Sequence, residues 1–365
     1  MTMHRVQNVG SVLQAYALLH KIEQMGHEAE IIDYEFPPIK KEYFTVKDVL
    51  KYGWNAFLGF PREKTKRKLE EFRKQFLHCS NQTFSRNALL SNPPQYDIYC
   101  TGSDQVWNPL HVGKDTSFFL DFAPEASPRI AYASSFASQD ICEPYRSLYA
   151  QLLAQYKYIT VREQSGVGIV KRLTGKDASV VCDPTLLLTI KEWEDVSALS
   201  KINISGGYIF VYLLGYMFDP RPEFYNIVKS VSLSLQLPVY YFNPQTKDIF
   251  ESGGGRALLG MGPKDFVRLV KNASFIVTDS FHGTAFATIF NIPMVAVVKD
   301  VQGGDGRIST LRKKVGASKS FFCPDEGFTL DCSDIEQYKG KMDKVDELRQ
   351  ASIKNLRDMI EGCSS

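Results

Sequence analysis

The chain of 365 residues lacks any run of about 18 apolar residues, so no segment reads as a membrane span. Its opening, MTMHRVQNVG, has no apolar stretch of the kind that drives secretion. No CxxC pair occurs among the seven cysteines (Cys79, Cys100, Cys142, Cys182, Cys323, Cys332 and Cys363), which removes zinc-ribbon and thioredoxin-type readings. An odd, scattered set of cysteines fits a reducing compartment, and the expectation is a cytoplasmic protein. Charge of one sign is also missing: 43 basic residues against 41 acidic ones leave +2, which speaks against nucleic acid as a partner. The cluster Gly253–Gly255 lacks the lysine frame of a P-loop, and no GxSxG, HExxH or EF-hand pattern appears. No metal site is expected.

What remains is an ordinary globular composition, 44% hydrophobic and 23% charged, with a length that suits two domains. Aromatic residues are plentiful at 12%; they build large cores and offer flat faces to sugars. Along the chain, apolar runs of strand length alternate with segments of helical period. Strands are expected at 29–34, 97–101, 130–134, 158–161, 179–185, 208–214, 238–242, 275–278 and 294–298. Helices are expected at 9–25, 62–78, 145–156, 163–173, 221–235, 263–271, 281–290 and 343–360. Such alternation implies parallel sheets. The polar stretch 189–206, ending in Gly206-Gly207, reads as a linker. The expected architecture is α/β, with two doubly wound domains facing a cleft. The segment 62–78 carries seven Lys/Arg against three Glu. It reads either as a solvated helix face or as a surface for anionic lipid headgroups or a pyrophosphate carrier.

In open α/β sheets ligands gather where strands end and helices begin. Four such junctions carry chemistry-bearing residues. Asp279-Ser-Phe-His-Gly283 follows the strand 275–278, placing His282 at a helix N-terminus suited to phosphate or carboxylate; alternatively, Asp279 or Ser280 serves only as a cap. Gly102-Ser103-Asp104-Gln105 ends another strand, where Asp104 and Gln105 can hold sugar hydroxyls or accept a proton; alternatively this is an Asx turn with Trp107 as core anchor. Arg162 ends a third, either as a bidentate anion ligand or as one half of a surface pair with Glu163. Asn8-Val-Gly-Ser11 opens the first helix, where it can cradle an anion.

In this order, the segments Asn8–Leu18, Ile31–Tyr34, Gly102–Pro109, Val161–Ser165, Asp183–Leu188, Asp279–Gly283 and Arg307–Leu311 resemble the polysaccharide pyruvyl transferase family. The resemblance spans residues 2–315. It implies two Rossmann-like domains arranged as in GT-B glycosyltransferases: residues 1–190 on the acceptor side, 205–342 on the phosphoenolpyruvate side, and a final helix, 343–362, packing back on the first domain. It implies transfer of pyruvate from phosphoenolpyruvate to two hydroxyls of a sugar in a cell-surface polysaccharide or its lipid-linked precursor, giving a cyclic ketal and phosphate. No cofactor beyond that donor substrate is expected, and contact with the inner membrane surface is allowed for. His282, Asp104 and Arg162 are the expected catalytic residues. Asn8, Gly10, Gly102, Ser103, Gln105, Asp279, Ser280, Gly283 and Arg307 are expected to bind substrate. Other branches carry Arg where this chain has Ser280, so Arg307, Arg312 or Lys299 must supply the cation, or the donor differs. Two other readings stay open: a GT-B glycosyltransferase using a nucleotide sugar, and a sugar-binding member without catalysis.

Overall fold

The computed structural model describes residues 1–36, 46–215, 218–245, 248, 254–299, 306–317, 319–323 and 328–364, with backbone alone for 46–60 and 364. The Gly253–Gly255 cluster and the approach to Arg307 therefore lie partly outside the described residues. The first half runs α1 (Val9–Gln24), β1 (Ile31–Tyr34), α2 (Val46–Phe76), β2 (Cys79–Phe84), α3 (Arg86–Ser91), β3 (Tyr99–Thr101), α4 (Pro109–Val112), β4 (Arg129–Ser134), α5 (Glu143–Ala154), β5 (Tyr158–Val161), α6 (Gln164–Thr174) and β6 (Ser179–Val180). A parallel sheet is ordered β3-β4-β5-β6, and β1 pairs with β2 beside it. Residues 1–4 lie between the two: the Gly102 N–H donates to the Met1 carbonyl at 2.8 Å, and His4 Nε2 sits 2.9 Å from Asp33 Oδ1.

The second half runs α7 (Ile190–Ala198), β7 (Ile209–Tyr212), α8 (Glu223–Leu235), β8 (Val239–Phe242), β9 (Arg256–Leu258), α9 (Pro263–Lys271), β10 (Phe275–Thr278), α10 (Phe281–Ile289), β11 (Met294–Val297), α11 (Gly306–Val315), β12 (Phe321–Phe322) and α12 (Met342–Ser364). Its sheet is parallel throughout, ordered β12-β11-β10-β7-β8-β9. The chain works outward from β7 through β8 and β9, then returns to β10 and works outward the other way. That reversal makes the gap between β7 and β10 the topological switch point, where a doubly wound sheet opens a crevice. The fold is α/β with two Rossmann-like halves, as the alternation of strands and helices implies.

Two stretches differ from the sequence expectation. Residues 189–206 are not a bare linker. Thr189 and Glu192 form a capping box that starts α7, and this helix buries Trp193 completely. The basic segment 62–78 belongs to a longer helix, α2, with Pro61 inside it. Leu69 and Phe72 on this helix are buried, with Phe72 stacked on Phe76 at 4.5 Å and edge-on to Tyr16 of α1. Lys68 reaches into the second half to pair with Asp265 at 2.5 Å. The helix thus braces both halves, while Arg62, Lys66, Arg67 and Lys74 stay exposed. Finally, α12 lies on the first half: Arg349 Nε donates to the Leu186 carbonyl at 2.8 Å, and the Cys182 N–H donates to Ser352 Oγ at 2.9 Å. Among the described residues, no helix is long and apolar enough to cross a membrane.

Candidate active site

The crevice at the switch point is a cleft whose walls come from both halves. Asn8, Ser11 and Asp104 line it from the first half; Asp279, Ser280, Phe281, His282, Lys299 and Arg307 are among those lining it from the second. The ends of β3, β10 and β11 and the starts of α1, α10 and α11 therefore meet there.

Asn8 caps α1, accepting from the N–H groups of Gly10 (2.8 Å) and Ser11 (3.3 Å). At Gly10 the first half lies directly on the second: a β-carbon there would stand 2.1 Å from Nδ1 of His282. Asp104 follows β3 with φ +78°, in the left-handed region that a non-glycine residue rarely occupies. Ser11 Oγ donates to its Oδ2. Burial alone would raise the Asp104 carboxyl, but Arg162, His282 and Ser11 together hold it below the usual carboxylate range. Asp104 is therefore an anion at neutral pH.

Beneath this floor, Arg162 is 3% exposed and forms neither a surface pair nor part of the cleft lining. Its Nη1 donates to Asp183 Oδ2 at 2.8 Å, its Nη2 lies 3.6 Å from Asp104 Oδ1, and its guanidinium sits 4.5 Å from the centre of the Phe281 ring. Arg307 approaches the same ring at 5.9 Å, so Phe281 is shared by one guanidinium from each half. Ser103 does not face the cleft; its one hydroxyl proton is shared between Asp183 Oδ2 at 3.0 Å and the Ala133 carbonyl at 2.9 Å. Gln105 also turns inward, accepting from Asn108 Nδ2 at 2.7 Å. Gly102 packs against Thr2 and Leu18, and Trp107 is a fully buried core anchor beside Phe119.

On the opposite wall, Asp279 accepts from the N–H groups of Leu214 (2.7 Å) and Gly215 (2.6 Å), tying the end of β10 to the loop after β7 across the switch point. Burial lifts its pKa to about 6 against these backbone donors. Ser280 caps α10 by accepting from the Gly283 N–H at 3.3 Å. Gly283 lets the helix sit on the strand, since a β-carbon there would be 2.5 Å from Thr278 Oγ1. His282 is 7% exposed, and its Nε2 has no hydrogen-bond partner. Burial lowers its pKa, opposed in part by Asp183 and Asp104. The imidazole is therefore neutral at pH 7.

Of the three cations considered opposite Ser280, Arg307 and Lys299 line the cleft, whereas Arg312 stacks on Phe321 at 5.2 Å. Ser11 belongs to the opening Asn8-Val-Gly-Ser turn singled out from the sequence, whereas Phe281 and above all Asp183 were not singled out as site residues. The signal for Asp183 was the Asp-Pro-Thr turn ending a fourth strand, in the same position as the junctions that were singled out. Elsewhere, His4, Asp33 and Cys79 bring possible metal-ligand atoms within 4.8 Å of one another. There, Arg5 already engages both oxygens of Asp33, leaving little negative charge for a cation.

A sequence model of the polysaccharide pyruvyl transferase family matches residues 8–300. No curated protein matches the chain. Among solved structures, the chain is similar to a UDP-N-acetylglucosamine 2-epimerase from Rickettsia bellii. The two share 12% identity, 97% of this chain and 94% of the other are covered, and the TM-score is 0.56. It is also similar to the UDP-GlcNAc 2-epimerase of Methanocaldococcus jannaschii, with 12% identity, 93% and 89% covered, and a TM-score of 0.52. At this identity the likeness shows the fold alone.

Proposed function

The chain belongs to the polysaccharide pyruvyl transferase family, and from that premise we propose that it moves pyruvate from phosphoenolpyruvate onto two hydroxyls of a sugar in a surface polysaccharide or its lipid-linked precursor. The products are a cyclic ketal and phosphate. The observation that carries this reading is the convergence of an unpartnered imidazole, two cationic side chains and a fixed carboxylate on one cleft at the switch point.

The donor brings a phosphate and a carboxylate. Arg307, Lys299 and the N-terminus of α10 are the groups of matching sign on the cleft wall. His282, neutral at rest, takes up a proton as the anionic donor binds, and the imidazolium delivers it to C3, so that the C2–C3 double bond opens, the methylene becomes a methyl group and C2 is left electron-poor. The first hydroxyl oxygen then bonds to C2 and its proton returns to the imidazole. The second hydroxyl oxygen bonds to C2, the bond from C2 to the phosphate oxygen breaks, and the second proton departs with phosphate. Asp104 is held too acidic to be a strong base; its role is to orient the hydroxyls and to stabilise the imidazolium. Arg162, out of reach of the cleft, supports Asp104 and Phe281 from below. The reaction so written requires no metal or organic cofactor. It draws on a cytoplasmic metabolite, and the exposed Arg62, Lys66, Arg67 and Lys74 of α2 are the residues that would meet anionic headgroups around a lipid-linked acceptor.

Phosphate release from phosphoenolpyruvate in the presence of a galactose- or hexosamine-terminated acceptor tests this. His282→Ala is expected to slow it about 10²–10⁴-fold, the usual worth of a general acid–base group. Unchanged release would overturn the role of His282. Thermal stabilisation by nucleoside diphosphates but not by phosphoenolpyruvate would overturn the donor and favour a nucleotide-sugar glycosyltransferase.

A further inference from the structure

We propose that Asp183 is the positioning residue of this site, fixing Arg162 beneath the floor and presenting one permanent negative charge across the buried seam between the halves to the protonated form of His282. The proposal rests on the reading of His282 as proton carrier. Asp183 is 1% exposed, and every bond it makes holds it rigidly. Oδ1 accepts from the Thr185 N–H at 3.0 Å and from Thr185 Oγ1 at 2.8 Å. Oδ2 accepts from Arg162 Nη1 at 2.8 Å and from Ser103 Oγ at 3.0 Å, and the same oxygen stands 3.9 Å from His282 Nε2. The carboxylate thus belongs to the first half while facing a histidine of the second.

The charges around His282 explain why that placement matters. Asp183 and Asp104 face it from the first half with Arg162 between them, and Arg307 faces it from its own half; Gly10 packs on the ring and brings no charge. Glu163, next to Arg162, is fully buried, and its Oε1 accepts from the Phe136 N–H at 2.8 Å. Burial pushes the Glu163 carboxyl up, whereas Asp183 and Asp104 are both held low and both face His282. When the imidazole takes up a proton during turnover, these two carboxylates are the negative charges that stabilise it. Asp183 is the carboxylate whose oxygen lies nearest the imidazole with all its other partners fixed. Bonded to neither the imidazole nor the substrate cleft, it acts through His282 and Arg162.

The test is the titration of the His282 imidazole, followed by NMR of histidine-labelled protein, with its signal assigned from His282→Gln. Asp183→Asn is expected to lower the His282 pKa by about one unit or more, the effect of removing an opposite charge at this range. Ser103→Ala, which removes a hydrogen bond and no charge, is expected to leave it in place. Because Asp183→Asn strands Arg162 without its partner, the double variant Asp183→Asn/Arg162→Met serves where the single one does not fold. Its His282 pKa is expected to fall by less than in the single variant, since a repelling charge is removed along with the attracting one. An unchanged or raised His282 pKa in either variant overturns the proposal. None of these measurements uses phosphoenolpyruvate, so absence of pyruvyl transfer would defeat the proposed function while the titration still reports on Asp183.

Discussion

A β-carbon on Gly10 would occupy the space of the His282 ring, so the two halves close on each other only because this position has no side chain. Gly10→Ala should leave α1 intact, since alanine favours a helix more than glycine does. It should instead push His282 off its position. Activity is expected to fall about 10²-fold, the penalty of misplacing a reacting group by about 1 Å, with a loss of about 1–3 kcal/mol of stability from overpacking the seam. Wild-type turnover in this variant would show that the contact has no bearing on chemistry. The case also shows what was legible. Asn8, Asp104 and His282 stand out in the sequence because polar residues at strand ends and helix starts have few other reasons to be there. The reason for Gly10 was not legible, because it lies in a residue of the other half. Asp183 stands in a motif visible in the sequence, but nothing local distinguishes a capping aspartate from one that faces a histidine of the other half. Arg162 was legible as a charged strand end, whereas its burial under Phe281 depends on packing that the pattern does not encode.

At the scale of elements, α2 and α7 were the hardest to read, for opposite reasons. The charged face of α2 dominates its sequence and hides the narrow apolar stripe of Leu69, Phe72 and Phe76. The helix is nevertheless held by that stripe. Phe72→Ala, at a fully buried position, is expected to cost about 3–5 kcal/mol in urea denaturation. Lys68→Ala, whose side chain is 27% exposed, is expected to cost under about 1 kcal/mol despite its close pair with Asp265. The reverse order would mean that the brace is electrostatic. In α7, polar residues surround a single large anchor, Trp193, and the Thr189/Glu192 capping box that marks its start is short enough to pass for loop. The strands of the second half were read closely, because Phe275–Thr278 and Met294–Val297 are buried on both faces and so are continuously apolar. Strand β9 was missed: Arg256–Leu258 is short and half exposed at the sheet edge.

Across the whole molecule, one apolar core runs without a break from Val12 and Leu13 of α1 through Trp193 of α7 to Phe266 and Phe286 of the second sheet's helices, and on to Leu356 of α12. Two domains sharing so much buried surface should not melt apart. Calorimetry is expected to show a single cooperative transition, and two resolved transitions would contradict a shared core. The position of α12 adds a consequence in time. The backbone on either side of Asp183 is held by this helix, through Ser352 to Cys182 and Arg349 to Leu186. During translation the first half leaves the ribosome long before α12 is made. A nascent chain halted ahead of that helix would carry every polar residue of the site, yet the strand end bearing Asp183 would still lack its support. The first half of this protein is therefore built early and finished last.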